Sequence, residues 1–137
     1  MNNGHWQYPT EIDPTKYVGF IYRIDCLKNG MSYIGRKQFW STRRVKVKGR
    51  KNRKVKKSES NWREYTSSST HLNKDITAFG NNSFQFTIIQ LCENKSQMAY
   101  YEPYYMFKYD VLTKCDPQGK RIFYNRQIPA CKCIPKL

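Results

Sequence analysis

Apolar and polar positions alternate in two parts of the chain and recur at helical spacing in two others. In residues 18–26, Phe20, Tyr22 and Ile24 oppose Ile21 and Arg23, the period of two that places successive side chains on opposite faces of a strand. Leu27-Lys28-Asn29-Gly30 interrupts this run, and a second β-rich run follows through Tyr33-Ile34-Gly35. Asn-Gly is the strongest short hairpin signal because both residues accept positive φ. Residues 18–37 therefore read as an antiparallel hairpin, in which Tyr22 and Tyr33 approach with their hydroxyls toward one surface. Downstream, Leu72, Ile76 and Phe79 fall at i, i+4 and i+7 and predict a helix over 70–79. Its N-cap comes from the run Ser67-Ser68-Ser69-Thr70, and Gly80 stands at the C′ position. Phe84, Phe86 and Ile88 then alternate, with Ile89 and Leu91 filling the other face of a strand.

A second helix is predicted over 96–109, where Met98, Tyr101, Tyr105 and Tyr109 share a stripe with Glu102 beside it. Pro103 removes one hydrogen bond from that helix, so a kink or a late start near Glu102 is expected. Residues 1–16 are polar, with Pro9 and Pro14, and read as an irregular lead-in on which Trp6 and Tyr8 pack back onto the domain. From about residue 113 the chain carries turn chemistry at Asp116-Pro117-Gln118-Gly119 and reads as an irregular tail. There is no internal repeat. The 137 residues suffice for one domain with a modest core.

Composition sharpens this picture. The net charge is +15, and eleven tyrosines contribute to an aromatic content of 15%. Such a charge does not help folding and points to a polyanionic partner, with nucleic acid ahead of an anionic membrane surface. No apolar run approaches the ~20 residues of a membrane span, and no signal peptide is visible. The expectation is a soluble, intracellular protein. Five cysteines without a secretory signal read as reduced thiols. Cys131-x-Cys133 with Cys115 has poor spacing for structural zinc.

The charge is concentrated. Ten of the fifteen residues in 43–57 are Lys or Arg, namely Arg43, Arg44, Lys46, Lys48, Arg50, Lys51, Arg53, Lys54, Lys56 and Lys57, and no acid interrupts them. A block this dense repels itself and reads as a mobile insertion when free. A charge run is ordinarily a solvated face. Here its density and its place beside the hairpin favour contact with backbone phosphates.

Phe20-Ile21-Tyr22 followed by Tyr33-Ile34-Gly35, across an Asn-Gly turn, resembles the paired motifs of the GIY-YIG endonucleases, with Phe20 standing where Gly is usual. The resemblance spans about residues 17–125. It implies an α/β (α+β) fold, a small central antiparallel three-stranded sheet flanked by helices, with the active site on a sheet face. It implies a metal-dependent DNA endonuclease of homing or phage type that acts on double-stranded DNA with Mg²⁺ or Mn²⁺, in the host cytoplasm if phage-encoded. By the same resemblance Tyr22 and Tyr33 are the motif tyrosines, one of which positions or deprotonates the attacking water. Glu102 matches the glutamate that ligates the metal, and Asn125 an asparagine that lines the site. The family arginine maps to Arg43 by its usual spacing, with Arg36 directly after the second motif as the other candidate and Lys37 and Arg63 also at hand. A guanidinium would grip the scissile phosphate through a planar fork that lysine lacks.

Two other classes compete with this reading. One is a non-catalytic basic nucleic-acid-binding protein that keeps the fold, and the other is a basic structural protein of a nucleoprotein particle. His5 and His71 carry no catalytic pattern. His71 reads as a surface residue or a secondary phosphate contact.

Overall fold

The computed structural model describes residues 2–137. Its centre is a mixed four-stranded sheet, ordered β1-β6-β2-β3. The strands are β1 (Trp6–Gln7), β2 (Gly19–Cys26), β3 (Ser32–Gln38) and β6 (Phe84–Cys92). A separate two-stranded sheet joins β4 (Trp40–Val45) to β5 (Lys54–Glu59). Helices α1 (Thr70–Phe79) and α2 (Lys95–Lys108) complete the set.

The hairpin forms as its pattern predicts, with Tyr22 opposite Gly35 and Ile24 opposite Tyr33. Its connection differs from a two-residue Asn-Gly turn. Cys26 N–H donates to Met31 O and Gly30 N–H to Cys26 O, giving a four-residue loop in which Gly30, at φ 73°, is the left-handed residue. Phe20, Tyr22 and Ile24 face an aromatic core containing Trp6, Phe39 and Trp62, capped by Leu72 of α1. Ile21 faces the opposite layer with Ile34, Met98 and Met106, and there α2 covers the sheet.

Helix α1 has the predicted ends. Ser69 Oγ accepts from Leu72 N–H, and Gly80 closes the helix at φ 83°. Helix α2 does not start late. It begins at Lys95 with Asn94 capping Gln97 N–H and runs through Pro103, because Tyr101, Tyr105 and the buried Met98 and Met106 pack on the sheet on both sides of the proline.

Several expectations are corrected. The central sheet is four-stranded and mixed, because the lead-in supplies β1, which pairs parallel to β6 through Trp6 and Phe86. Trp6 is buried, and its indole N–H donates to Trp62 O, so burial of one large ring draws the lead-in onto the sheet. In β6 a bulge lies between the pairings of Ile21 and Tyr22. It turns Leu91 onto the face of Phe84, Phe86 and Ile88 instead of the face of Ile89. The tail is irregular but tied to the core. Ser32 N–H donates to Ile122 O and Tyr124 N–H to Ser32 O, which lays residues 122–125 along the open edge of β3.

The basic segment is also corrected. Residues 43–57, expected to lack regular structure when free, form most of the β4–β5 hairpin, with Arg43 opposite Lys56 and Val45 opposite Lys54. Like charges in direct register destabilise a ribbon. Its base supplies the compensation. Trp40 indole N–H donates to Pro14 O at 2.9 Å, Trp62 indole N–H to Glu59 at 2.9 Å, and Ser60 N–H to Phe39 O at 2.8 Å. All five cysteines are free thiols. Among the described residues no helix is long and apolar enough to cross a membrane.

Candidate active site

Adjacent strands and a helix bring the motif residues together. Tyr22 and Tyr33 lie on one face of the β2–β3 pair with ring centroids 6.2 Å apart. Tyr22 is buried and Tyr33 half-buried. Gly35 makes the approach possible. A Cβ at this position would sit 2.5 Å from Tyr22 Oη, 2.6 Å from its Cζ and 2.9 Å from Tyr33 Cε1. The second motif therefore ends in glycine because the Tyr22 ring lies across its backbone.

Glu102, on α2, is 8% exposed and faces Arg36 of β3, whose Nε lies 3.4 Å from Oε1. Burial raises the Glu102 pKa from its ordinary value, and the Arg36 charge partly opposes this. Burial also lifts all three nearby phenols above the usual tyrosine value. The Glu102 charge adds to the rise at Tyr22, Tyr33 and Tyr65, while a hydrogen bond with Ser68 partly lowers Tyr33. Lys37 extends over the Tyr65 ring at 4.1 Å, and burial lowers its pKa.

Tyr65 lies outside the paired motifs. It stands 6.2 Å from Tyr22, edge to face, and completes a group of three tyrosines with Glu102, Arg36 and Lys37. A tyrosine three residues after Trp62 carries no signal that separates anchoring from a place in a site.

Two hollows flank the group. One, of about 270 Å³, is lined by Arg36, Lys37, Ser41 and Tyr65 and opens toward the base of the β4–β5 hairpin. The other, of about 630 Å³, begins at Tyr33 and runs along α1.

The remaining candidates lie elsewhere or are engaged. Arg43 is exposed on β4, facing Lys56 across the ribbon, and lines neither hollow. Arg44, Lys46, Lys48, Arg50, Lys51, Arg53, Lys54, Lys56 and Lys57 are exposed along the same hairpin. Lys57 Nζ stands 5.2 Å from the Trp40 ring. Arg63 is held by Glu59 at 2.6 Å. Asn125 is buried and spends its amide on one backbone unit. Oδ1 accepts from Ile34 N–H at 3.0 Å, and Nδ2 donates to Ile34 O at 2.8 Å. It fixes the strand between Tyr33 and Gly35 rather than presenting its amide to the site. His5 stacks on Phe86, and burial lowers its pKa.

No three His, Cys, Asp or Glu side chains among the described residues converge as a metal cage. Glu102 does fit a cation of another kind. Mg²⁺ keeps most of its waters and is held by one or two carboxylates together with substrate phosphate oxygens, and Mn²⁺ accepts the same oxygen donors.

One buried and one half-buried tyrosine thus pair across a β-hairpin of an α+β domain, with a helix carboxylate held against an arginine of the same hairpin. The model of the family described as "Putative endonuclease segE, GIY-YIG domain" matches residues 5–128. The chain belongs to this GIY-YIG endonuclease family. No curated protein and no solved structure matches it.

Proposed function

We propose that the protein is a metal-dependent DNA endonuclease of homing or phage type that hydrolyses phosphodiester bonds of double-stranded DNA. The observation that carries this reading is the Glu102–Arg36 pair at the edge of the Tyr22, Tyr33 and Tyr65 group, with Arg36, Lys37 and Tyr65 lining one hollow at the base of a cationic hairpin. Glu102 is the metal ligand, for Mg²⁺ or Mn²⁺. When bound, the cation supplies charge neutralisation at the scissile phosphate and at the leaving oxygen.

The protein's own residues do the rest. Arg36 presents a guanidinium to a non-bridging phosphate oxygen. Tyr33, less buried than Tyr22, orients the attacking water through its hydroxyl. Tyr22 holds the geometry of Tyr33 and Gly35. Lys37 adds positive charge at the site's edge, and Asn125 keeps β3 in place. The hairpin cations from Arg43 to Lys57 contact backbone phosphates, and Arg43 serves binding unless DNA draws it toward the scissile bond. Phe20 does not weigh against catalysis. It is fully buried, with its ring 5.1 Å from Phe39, and fills core on the side of Trp6 and Trp62.

The test is plasmid nicking with and without Mg²⁺ by wild type and Glu102→Gln. The expected result is metal-dependent cleavage by wild type, and DNA binding without cleavage by the variant. Equal cleavage by both would remove Glu102 from the mechanism. Wild-type binding with no cleavage in Mg²⁺ or Mn²⁺ would favour a non-catalytic DNA-binding protein.

A further inference from the structure

The 630 Å³ hollow beside Tyr33 is built from two separate parts of the chain. Helix α1 contributes His71 and Lys74, and the segment along the β3 edge contributes Tyr124, Arg126 and Gln127. Lys74 and Arg126 are exposed, and neither forms an ion pair among the described residues. The wall behind them is fixed. Tyr124 Oη donates to Asp75 Oδ2 at 2.6 Å and accepts from Asn29 Nδ2 at 3.1 Å, and the His71 ring meets the Tyr124 ring edge-on at 4.9 Å. Asp75, an acid on the same helix, does not line the hollow. Its carboxylate is engaged by Tyr124, by Asn29 at 3.2 Å and by His71 at 3.8 Å.

A concave surface with two free cations, a fixed aromatic wall and an acid turned away from it suits a phosphodiester better than a metal or an apolar ligand. Its position adds to this. Tyr33 edges this hollow and Tyr65 edges the smaller one with Arg36 and Lys37, while Tyr22 lies 6.2 Å from each of the two tyrosines. Cations thus flank the tyrosine group on both sides.

We propose that this hollow is a second phosphate subsite, in which Lys74 and Arg126 bind the backbone of the cleaved strand on the side of the scissile bond away from the β4–β5 hairpin. The identity of the strand rests on the nuclease reading above. The subsite itself is testable without cleavage. Lys74 and Arg126 act as binding residues, and His71 and Tyr124 shape the wall. A strand held at two places across the site cannot pivot about the hairpin, so its scissile phosphate is presented in one register.

The experiment measures duplex binding against salt without divalent cations for wild type, Lys74→Gln/Arg126→Gln and Lys114→Gln/Lys132→Gln. The last is a charge-matched control on exposed lysines that line neither hollow. If both cations touch phosphates, the slope of log K against log salt flattens by about 1.8 in the first variant, at about 0.9 per contact. Hydroxyl-radical protection should shrink at one end of the footprint, while the control keeps its slope and footprint. Equal shifts in both double variants, or none in either, would overturn the subsite. Because binding alone is read, failure of the nuclease reading would appear separately, as wild-type protein that binds with the Lys74 and Arg126 dependence but does not cut.

Discussion

Gly35→Ala tests the packing on which the site depends. The added methyl would meet Tyr22 Oη and Cζ at 2.5 and 2.6 Å, far inside van der Waals contact. The Tyr22 ring has nowhere to retreat. Trp6 stands 5.0 Å from it, Phe20 6.1 Å, Tyr33 6.2 Å and Tyr65 6.2 Å, centroid to centroid, and the residue is 1% exposed. Overpacking of a closed core costs about 1–3 kcal/mol. For a domain of this size that is a fall in Tm of roughly 3–12 °C. Tyr22→Phe removes the nearest of the three atoms but leaves Cζ, so it should relieve part of the strain. In a double-mutant cycle the two changes should couple by at least about 0.5 kcal/mol, with the pair less destabilised than the sum of the singles. Thermal denaturation of the four proteins measures this. An unchanged Tm for Gly35→Ala, or strict additivity, would show that the ring does not lie across the glycine and would refute the packing account of the motif.

Four further outcomes are expected. In single-turnover cleavage at saturating DNA, Arg36→Lys should slow the chemical step by roughly a hundredfold or more, the scale for losing one preorganised donor, while Arg43→Lys should change affinity alone; the reverse order would place the phosphate grip on the hairpin. Neutralising Lys51, Arg53, Lys54 and Lys56 should flatten the salt dependence of binding by up to about 3.6, at about 0.9 per contact, and an unaltered slope would mean that the hairpin does not touch DNA. Asn125→Ala leaves two buried backbone groups of Ile34 without partners, at about 1–3 kcal/mol each, and calorimetry should find a loss of that order. Because folding raises the Glu102 pKa, the folded state holds that proton more tightly and the protein loses stability as pH climbs from the unfolded value of about 4.3 through the folded one. Glu102→Gln should therefore melt above wild type at neutral pH and level with it below about pH 4, and a variant that melts lower at neutral pH would mean that the Arg36 contact outweighs burial.

Much of this was legible because it is local. The alternation in β2 and β6 and the spacing of Leu72, Ile76 and Phe79 are carried by neighbouring residues, as are the caps at Ser69 and Gly80. What escaped depends on long-range partners. Two residues, Trp6 and Gln7, carry no period, and only the match with Phe86 and Thr87 makes them a strand. The bulge that turns Leu91 inward has no marker in its own sequence. In the basic run, charge density argued for repulsion, and it hid Thr42, Val45 and Val55, whose β-branched chains in facing strands favour a ribbon. Among the candidate site residues, the tyrosines, Glu102 and the two arginines Arg36 and Arg43 come from the family resemblance, whereas Tyr65 and the Lys74–Arg126 hollow arise where segments remote in sequence meet.

The charge around the tyrosines limits what their hydroxyls can do. Tyr22, Tyr33 and Tyr65 all have pKa values pushed above that of free tyrosine, first by burial and then, among other charges, by Glu102. In the free protein at neutral pH the three are therefore neutral hydroxyls. Arg36 is already paired with Glu102, and Lys37, its pKa lowered by burial, lies over the Tyr65 ring. A DNA phosphate entering the site adds negative charge and raises the phenols further. A tyrosinate base would thus need positive charge beyond that of Arg36 and Lys37, such as a bound divalent cation, whereas the water-orienting role proposed for Tyr33 needs no change of protonation. The buried carboxylate of Glu102 follows the same logic. It lies where desolvation disfavours its charge, with one partial ion pair to offset the penalty. Such a group is poorly explained by stability. Its charge acts on Tyr22, Tyr33 and Tyr65, and the metal-binding role proposed for it would give a buried carboxylate at this place a reason.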